Sequence, residues 1–231
     1  MCGRFTQTAT PDTIAKLFRV EGPLPLFKPS YNIAPTQRVA AVRLNAETGK
    51  RECALLRWGL IPSWANDAKI GNQCINAKAE TLAEKPSFRS AFRKRRCLVV
   101  ADGFYEWQLV GALRGVRASA KQPMWIGRKD RQPFAFAGLW EYWEPAEGEP
   151  LETCAIITTE PNELMAPIHN RMPVVLGPAS FDQWLDAATP AESLKALLRP
   201  CPGEELQAYP VSPLVNNPRN NAPQLLDQVS V

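Results

Sequence analysis

The sequence predicts one domain built of short strands, structured loops and short helices. Three observations predict it. Proline occurs 22 times in 231 residues, nearly twice the usual ~5%, and an interior proline interrupts a helix. Short apolar runs rich in β-branched residues recur along the chain, as buried strands require. Hydrophobic residues make up 45% and charged residues 22%, enough for a substantial core. No repeat, linker-like stretch or low-complexity segment interrupts the pattern, so residues 1–231 read as one domain.

Composition also excludes function classes. The net charge of +4 is compatible with an anionic partner without specifying one. No run of about 18 apolar residues is present, so no membrane helix is expected. No apolar segment follows Met1, so no signal peptide is expected either. The six cysteines, Cys2, Cys53, Cys74, Cys97, Cys154 and Cys201, form no CxxC pair of the zinc or thioredoxin type. A single histidine excludes a multi-histidine metal site. The expectation is a cytoplasmic protein in a reducing compartment, nucleoid-associated if bacterial, with no metal and no cofactor.

Taken in order, Thr10-Pro11-Asp12 starts a helix, with proline in its first turn. Ile14, Leu17 and Phe18 continue it at helical spacing until Gly22-Pro23. Residues 23–37 read as a proline-punctuated loop. A β-hairpin follows, with runs at 39–44 and 53–58 about a turn at Glu47-Thr48-Gly49-Lys50. Arg57 to Trp64 cannot be regular, because Gly59 and Pro62 interrupt it; Trp58 is assigned to the core and Trp64 to the surface. Residues 73–81 lead into a short basic helix bearing Lys85, Arg89, Arg93, Lys94, Arg95 and Arg96, read as a solvated face. Cys97–Ala101 is a buried strand, Asp102-Gly103 a turn, and Phe104-Tyr105-Glu106-Trp107 opens the next strand. Residues 110–122 read as loop. Strands are expected at 123–128, 133–140, 152–159, 174–176 and 206–212. A turn or short helix is expected at 161–168, helices at 178–187 and 190–199, and a tail that is mostly loop after about 213.

The chemistry begins at Cys2. Removal of Met1 would leave a 1,2-aminothiol. Its amine, with an ordinary pKa of about 7.7–8.0, is partly neutral at pH 7. Such a group condenses with an aldehyde to an imine, and the thiol then closes a thiazolidine ring. The same residue could instead attack an amide carbonyl with its sulfur. Gly3 leaves space beside it, and Arg4 supplies a fixed cation for a phosphate or carboxylate. Further along, Glu106 lies among aromatic residues; it either faces water or is buried as a general acid or base. His169 is the single histidine, the residue type suited to proton transfer near neutral pH, and Asn76 is either turn chemistry or an orienting amide.

Six segments in order, MCGRF (1–5), YNIAPTQ (31–37), RWGLIPSW (57–64), NAKAET (76–81), DGFYEW (102–107) and IHNRMP (168–173), resemble the signature of the SRAP family. Its members are the SOS-response-associated "peptidases", understood as abasic-site shield proteins. The resemblance runs from Met1 into the tail. It implies an α+β fold with a largely antiparallel, barrel-like β core, peripheral short helices and a groove for single-stranded DNA. It implies that processed Cys2 forms a reversible thiazolidine crosslink with a ring-opened abasic sugar. Carried over by motif position, Asn76 orients the Cys2 amine, Glu106 serves ring opening and reversal, and His169 moves protons about the imine. Arg4, Lys78 and Arg171 would hold phosphates, Pro35 and Trp64 would form a wedge and stacking surface, and Thr158 would line the groove. The family often carries arginine where this chain has Lys78, so that contact loses a bidentate fork.

The implied partner is single-stranded DNA with abasic sites, including single-strand/double-strand junctions. The implied state is a monomer; no motif names a replication-fork partner. Three other readings of Cys2 stand beside this one: an N-terminal-nucleophile amidohydrolase, a peptidase, and a noncatalytic single-stranded-DNA module.

Overall fold

The computed structural model describes residues 2–110 and 120–230. The chain enters through β1 (Phe5–Gln7) and α1 (Pro11–Phe18). The Thr10 hydroxyl caps α1 by accepting the Thr13 N–H at 3.2 Å, as the sequence leads one to expect. β2 (Ser30–Ile33) corrects the reading of 23–37 as loop throughout. Among the described residues its strand partner is β1, and a four-residue strand held by one distant neighbour leaves no periodic signal of its own. The hairpin forms as expected from β3 (Arg38–Leu44) and β4 (Arg51–Trp58), in register from Arg38↔Arg57 to Leu44↔Arg51. Beyond Trp58 the chain is irregular, then passes a 3₁₀ turn at Ala68–Gln73 into β5 (Asn76–Lys78).

The short helix α2 (Arg89–Lys94) is followed directly by β6 (Arg96–Ala101). Arg96 is therefore a strand residue and not part of a solvated helix face. It is buried and donates to the carbonyls of Phe92, Arg93, Trp184 and Asp186. β7 (Gly103–Val110) and β8 (Ala120–Arg128) pair as far as Val110↔Ala120. Val110 and residues 120–122 are thus strand where loop was expected, and 111–119 lie outside the described residues. Ladder pairing decides this segment, which is polar and would not declare itself by hydrophobicity.

The chain completes itself with β9 (Phe134–Trp143), β10 (Leu151–Thr159), β11 (Met172–Pro173), β12 (Val175–Leu176), α3 (Phe181–Leu185), α4 (Ala191–Leu197) and β13 (Leu206–Pro210). The helices expected at 178–187 and 190–199 are present but shorter.

β10, β4, β3, β6 and β9 form a continuous path, and β9 pairs back onto β10 to close a five-stranded barrel. Pairing is antiparallel except where β10 runs parallel to β4 and β5. A second sheet, in the order β13-β8-β7-β1-β2, packs against the barrel. Alternate residues of the barrel strands face different cores. Val42, Leu98, Val100 and Ile157 pack with Phe18, Phe92, Phe181 and Trp184 from the helices. Ala41, Val99, Phe136 and Ile156 pack with Phe5 and Phe104 of the second sheet, and with Cys2. The tail is mostly turns, as expected, yet it is fixed. Buried Asn32 donates to the carbonyls of Val215, Asn217 and Asn220, and Val215 and Leu225 are buried. None of the described helices is long and apolar enough to cross a membrane.

Candidate functional site

Strand register delivers Cys2 to Glu106. β1 and β7 are antiparallel, with Phe5 opposite Phe104. The ladder continues past β1, since the Tyr105 N–H donates to the Arg4 carbonyl at 2.9 Å. Cys2 and Gly3, which precede Arg4, therefore run alongside Glu106. Alternation along β7 sends Tyr105 to one side and Phe104 and Glu106 to the other. Glu106 is only 3% exposed and Cys2 is fully buried. Of the two environments open to Glu106, burial is the one observed.

Asn76 arrives by a different route. β5 lies parallel to β10, with Asn76 opposite Ile156, and the Trp58 indole N–H anchors its approach by donating to the Ile75 carbonyl at 2.9 Å. The Asn76 amide nitrogen donates to the Cys2 carbonyl at 2.8 Å. Its Oδ1 is buried without a hydrogen-bond partner among the described residues, leaving an acceptor beside Cys2.

His169 comes from the turn after β10. Asn162 shapes this turn through its Oδ1, which accepts the Met165 N–H at 3.0 Å. The His169 N–H then donates to the Met165 carbonyl at 2.8 Å. The Arg171 backbone N–H donates to His169 Nδ1 at 3.0 Å. The Arg171 carbonyl lies 3.2 Å from the same nitrogen, so Nδ1 accepts from the one group or donates to the other according to the tautomer. Nε2 lies 3.9 Å from Glu106 Oε2, beyond hydrogen-bond length but close enough for the two groups to feel each other's charge.

The electrostatics follow from burial. Glu106 is raised above the ordinary glutamate value of 4.5, chiefly by desolvation, with His169 among the charges that pull it part of the way back. The Cys2 thiol is pushed far above its ordinary 9.0, first by burial and then by the Glu106 carboxylate. Both effects favour the uncharged forms.

The expected phosphate ligands occupy varied surroundings. Lys78 is exposed. Arg4 is held by Asn32 Oδ1 at 2.8 Å and the Val215 carbonyl at 2.7 Å, with its guanidinium 5.8 Å from the Trp107 ring centre. Arg171 forms a bidentate pair with Glu80. Thr158 is fully buried and so does not line an open groove, contrary to expectation. It pairs with Lys78 and Pro173 on its two sides, and its carbonyl accepts from Arg171 Nη2 at 2.6 Å. It supports the cationic residues from beneath. Trp64 is 57% exposed and Pro35 is half-buried. No hydrogen bond or ion pair among the described residues joins either to Cys2.

The sequence reasoning missed Asn32 and Glu80. Both lie inside quoted motifs, so position within the motif was the available signal; their partners, 183 residues away at Val215 and 91 away at Arg171, were not.

The family description "SOS response associated peptidase (SRAP)" matches residues 1–218. The chain belongs to the SRAP family. Among SRAP relatives, it is 47% identical to the abasic site processing protein YoqW of Bacillus subtilis, over 98% of this chain and 99% of that one. It is 32% identical to the abasic site processing protein HMCES of Xenopus tropicalis, over 98% of this chain and 78% of that one. An X-ray crystal structure of a Bacteroides thetaiotaomicron protein superposes with a TM-score of 0.87 at 28% identity, covering 99% of this chain and all of the other. The expected α+β fold, with its closed and largely antiparallel barrel, is the fold observed.

Proposed function

We propose that this SRAP protein senses and shields abasic sites in single-stranded DNA through a reversible covalent bond to Cys2. The observation that carries the reading is the convergence of Cys2, Asn76, Glu106 and His169 from four separated parts of the chain. The abasic processing named for its relatives supports the same conclusion.

In this reading Met1 is removed and the Cys2 amine becomes available. Asn76 holds the Cys2 carbonyl, and its Oδ1 is an acceptor for the new amine. An abasic deoxyribose is mostly a closed hemiacetal. Glu106, whose carboxyl burial raises above its ordinary range, passes a proton to the ring oxygen as the ring opens and takes back the proton of the anomeric hydroxyl as the aldehyde forms. The amine adds to the aldehyde carbon, and one water leaves as the imine forms. The Cys2 sulfur then adds to the imine carbon, and its proton passes to nitrogen. The net change is loss of one water, so the adduct reverses by hydration without any redox step. His169 exchanges protons with the imine region.

The raised thiol bears on the order of steps. A protonated sulfur is a poor attacking group, so the amine acts first and the sulfur closes the ring afterwards. Lys78, Arg4 and Arg171 serve the strand's phosphates, and Trp64 with Pro35 stacks on bases at a junction.

Intact mass spectrometry after incubation with an oligonucleotide bearing one abasic site tests the proposal. The expected mass is that of the chain lacking Met1 plus the oligonucleotide minus one water, stable under denaturing conditions. Cys2→Ala and Cys2→Ser give no such adduct. An active preparation that retains Met1 would refute the mechanism.

A further inference from the structure

Arg171 is an expected phosphate ligand, yet its guanidinium is already engaged. Nη1 meets Glu80 Oε1 at 2.5 Å and Nη2 meets Oε2 at 2.9 Å. Nη2 also donates to the Thr158 carbonyl at 2.6 Å. A carboxylate seated across both terminal nitrogens occupies the fork that a phosphate would use. The two anions compete for one position.

Their burial decides which partner leaves. The Arg171 side chain is 16% exposed and the Glu80 side chain 50%. Arg171 is fixed from behind by Thr158 and from its own backbone by His169. Glu80 is the more exposed partner, and so the one that can turn out to solvent while Arg171 stays in place. Glu80 also lines a cavity of about 370 Å³, together with Glu84, Glu160 and Lys195.

We propose that Glu80 is a surrogate for a DNA phosphate, which fills the Arg171 fork in the free protein and is displaced when a strand binds. The inference rests on the functional reading above. It makes Glu80 a specificity-determining residue. While it sits on Arg171 the site presents one positive charge fewer, so undamaged single strands are held weakly. Residence on DNA then depends on the covalent step at an abasic site. Arg171 lies two residues from His169, so the exchange takes place at the edge of the reacting centre.

The test is fluorescence anisotropy with a labelled, undamaged single-stranded oligothymidine over a salt series. The proteins are wild type, Glu80→Gln, Arg171→Ala and the double variant. Glu80→Gln is expected to bind at least about threefold tighter at low salt. The slope of log affinity against log salt should steepen by about 0.7, one added phosphate contact on a single strand. In the Arg171→Ala background the same substitution should give no gain. Equal or weaker binding by Glu80→Gln overturns the proposal, since Glu80 would then only position Arg171. An equal gain in both backgrounds also overturns it, since Glu80 would be a diffuse negative charge. So does absence of binding by all four proteins. Crosslinking of the wild type to an abasic strand is followed separately on a denaturing gel. Its failure would remove the functional reading while the binding series still judges the exchange at Arg171.

Discussion

The proposed role of Glu106 requires it to be both buried and able to move a proton, and the two requirements separate by experiment. Glu106→Gln keeps the shape of the side chain and removes its acid. Positioned acid–base groups contribute about 10²–10⁴-fold, so single-turnover crosslinking and reversal should both slow within that range, with near-normal affinity for undamaged strands. Wild-type rates in the variant would leave Glu106 without an acid–base role. Stability gives an independent reading. The folded carboxyl titrates above its ordinary 4.5, so ionising it costs more in the fold than in the unfolded chain. That cost is absent below the ordinary value, grows as pH rises through the folded value and is constant beyond it. Glutamine carries no such cost. The urea midpoint of Glu106→Gln relative to wild type should therefore climb from pH 4 towards pH 8. A difference that stays flat with pH would mean that burial does not raise this group.

At the scale of elements, the order of the strands is kept by polar side chains that reach between them. Gln7 on β1 accepts from the Ala40 N–H and donates to the carbonyls of Ala40 and Val100, bridging to β3 and β6. Asp102 accepts from Thr6, Thr8 and Ala9, tying the end of β6 to the chain that follows β1. Gly103 lets β7 pass the Trp125 indole, where an added Cβ would come within 2.4 Å of the ring. Arg96 joins β6 to α2 and α3 through its four carbonyl contacts. Hydrogen bonds to a charged donor are worth about 1.5–3 kcal/mol, and buried acceptors left bare are costly. Arg96→Leu should thus lose about 3 kcal/mol or more in equilibrium unfolding. Arg89→Ala, on the exposed side of α2, should stay within about 0.5 kcal/mol. Equal losses would return Arg96 to the solvated helix face that the sequence suggested.

For the whole molecule, barrel closure fixes β10 beside both β4 and β5 and so sets Lys78, Thr158 and Arg171 in neighbouring positions. Trp64 stands outside this framework, and its exposure of 57% means that little packing depends on it. Trp64→Ala should leave the melting temperature unchanged and weaken binding to a single-strand/double-strand junction by about 1–3 kcal/mol, the value of one stacked base. Titrations of junction, single strand and blunt duplex would decide the matter. Equal affinity of the wild type for all three would reject a strand-selective groove. Lys78→Arg should bind the single strand equally or more tightly, because it gains a bidentate fork without changing charge.

What the sequence determined by itself was local chemistry. The cysteine at position 2, the α1 cap, the β3–β4 hairpin and the acid among aromatics at Glu106 are each written within a few consecutive residues, and ordered motifs identified the family. The tertiary structure decided the partnerships. Asn76 meets Cys2 across 74 residues, and Arg171 meets Glu80 across 91. Thr158, expected at a groove wall, became a buried support, and Arg96 passed from a basic helix into the core. The physical reason is strand register. Propensity and capping act over one turn or one hairpin. Which side chains face one another across a closed sheet is fixed only when distant strands pair, and a slip of one residue would turn each side chain to the opposite face.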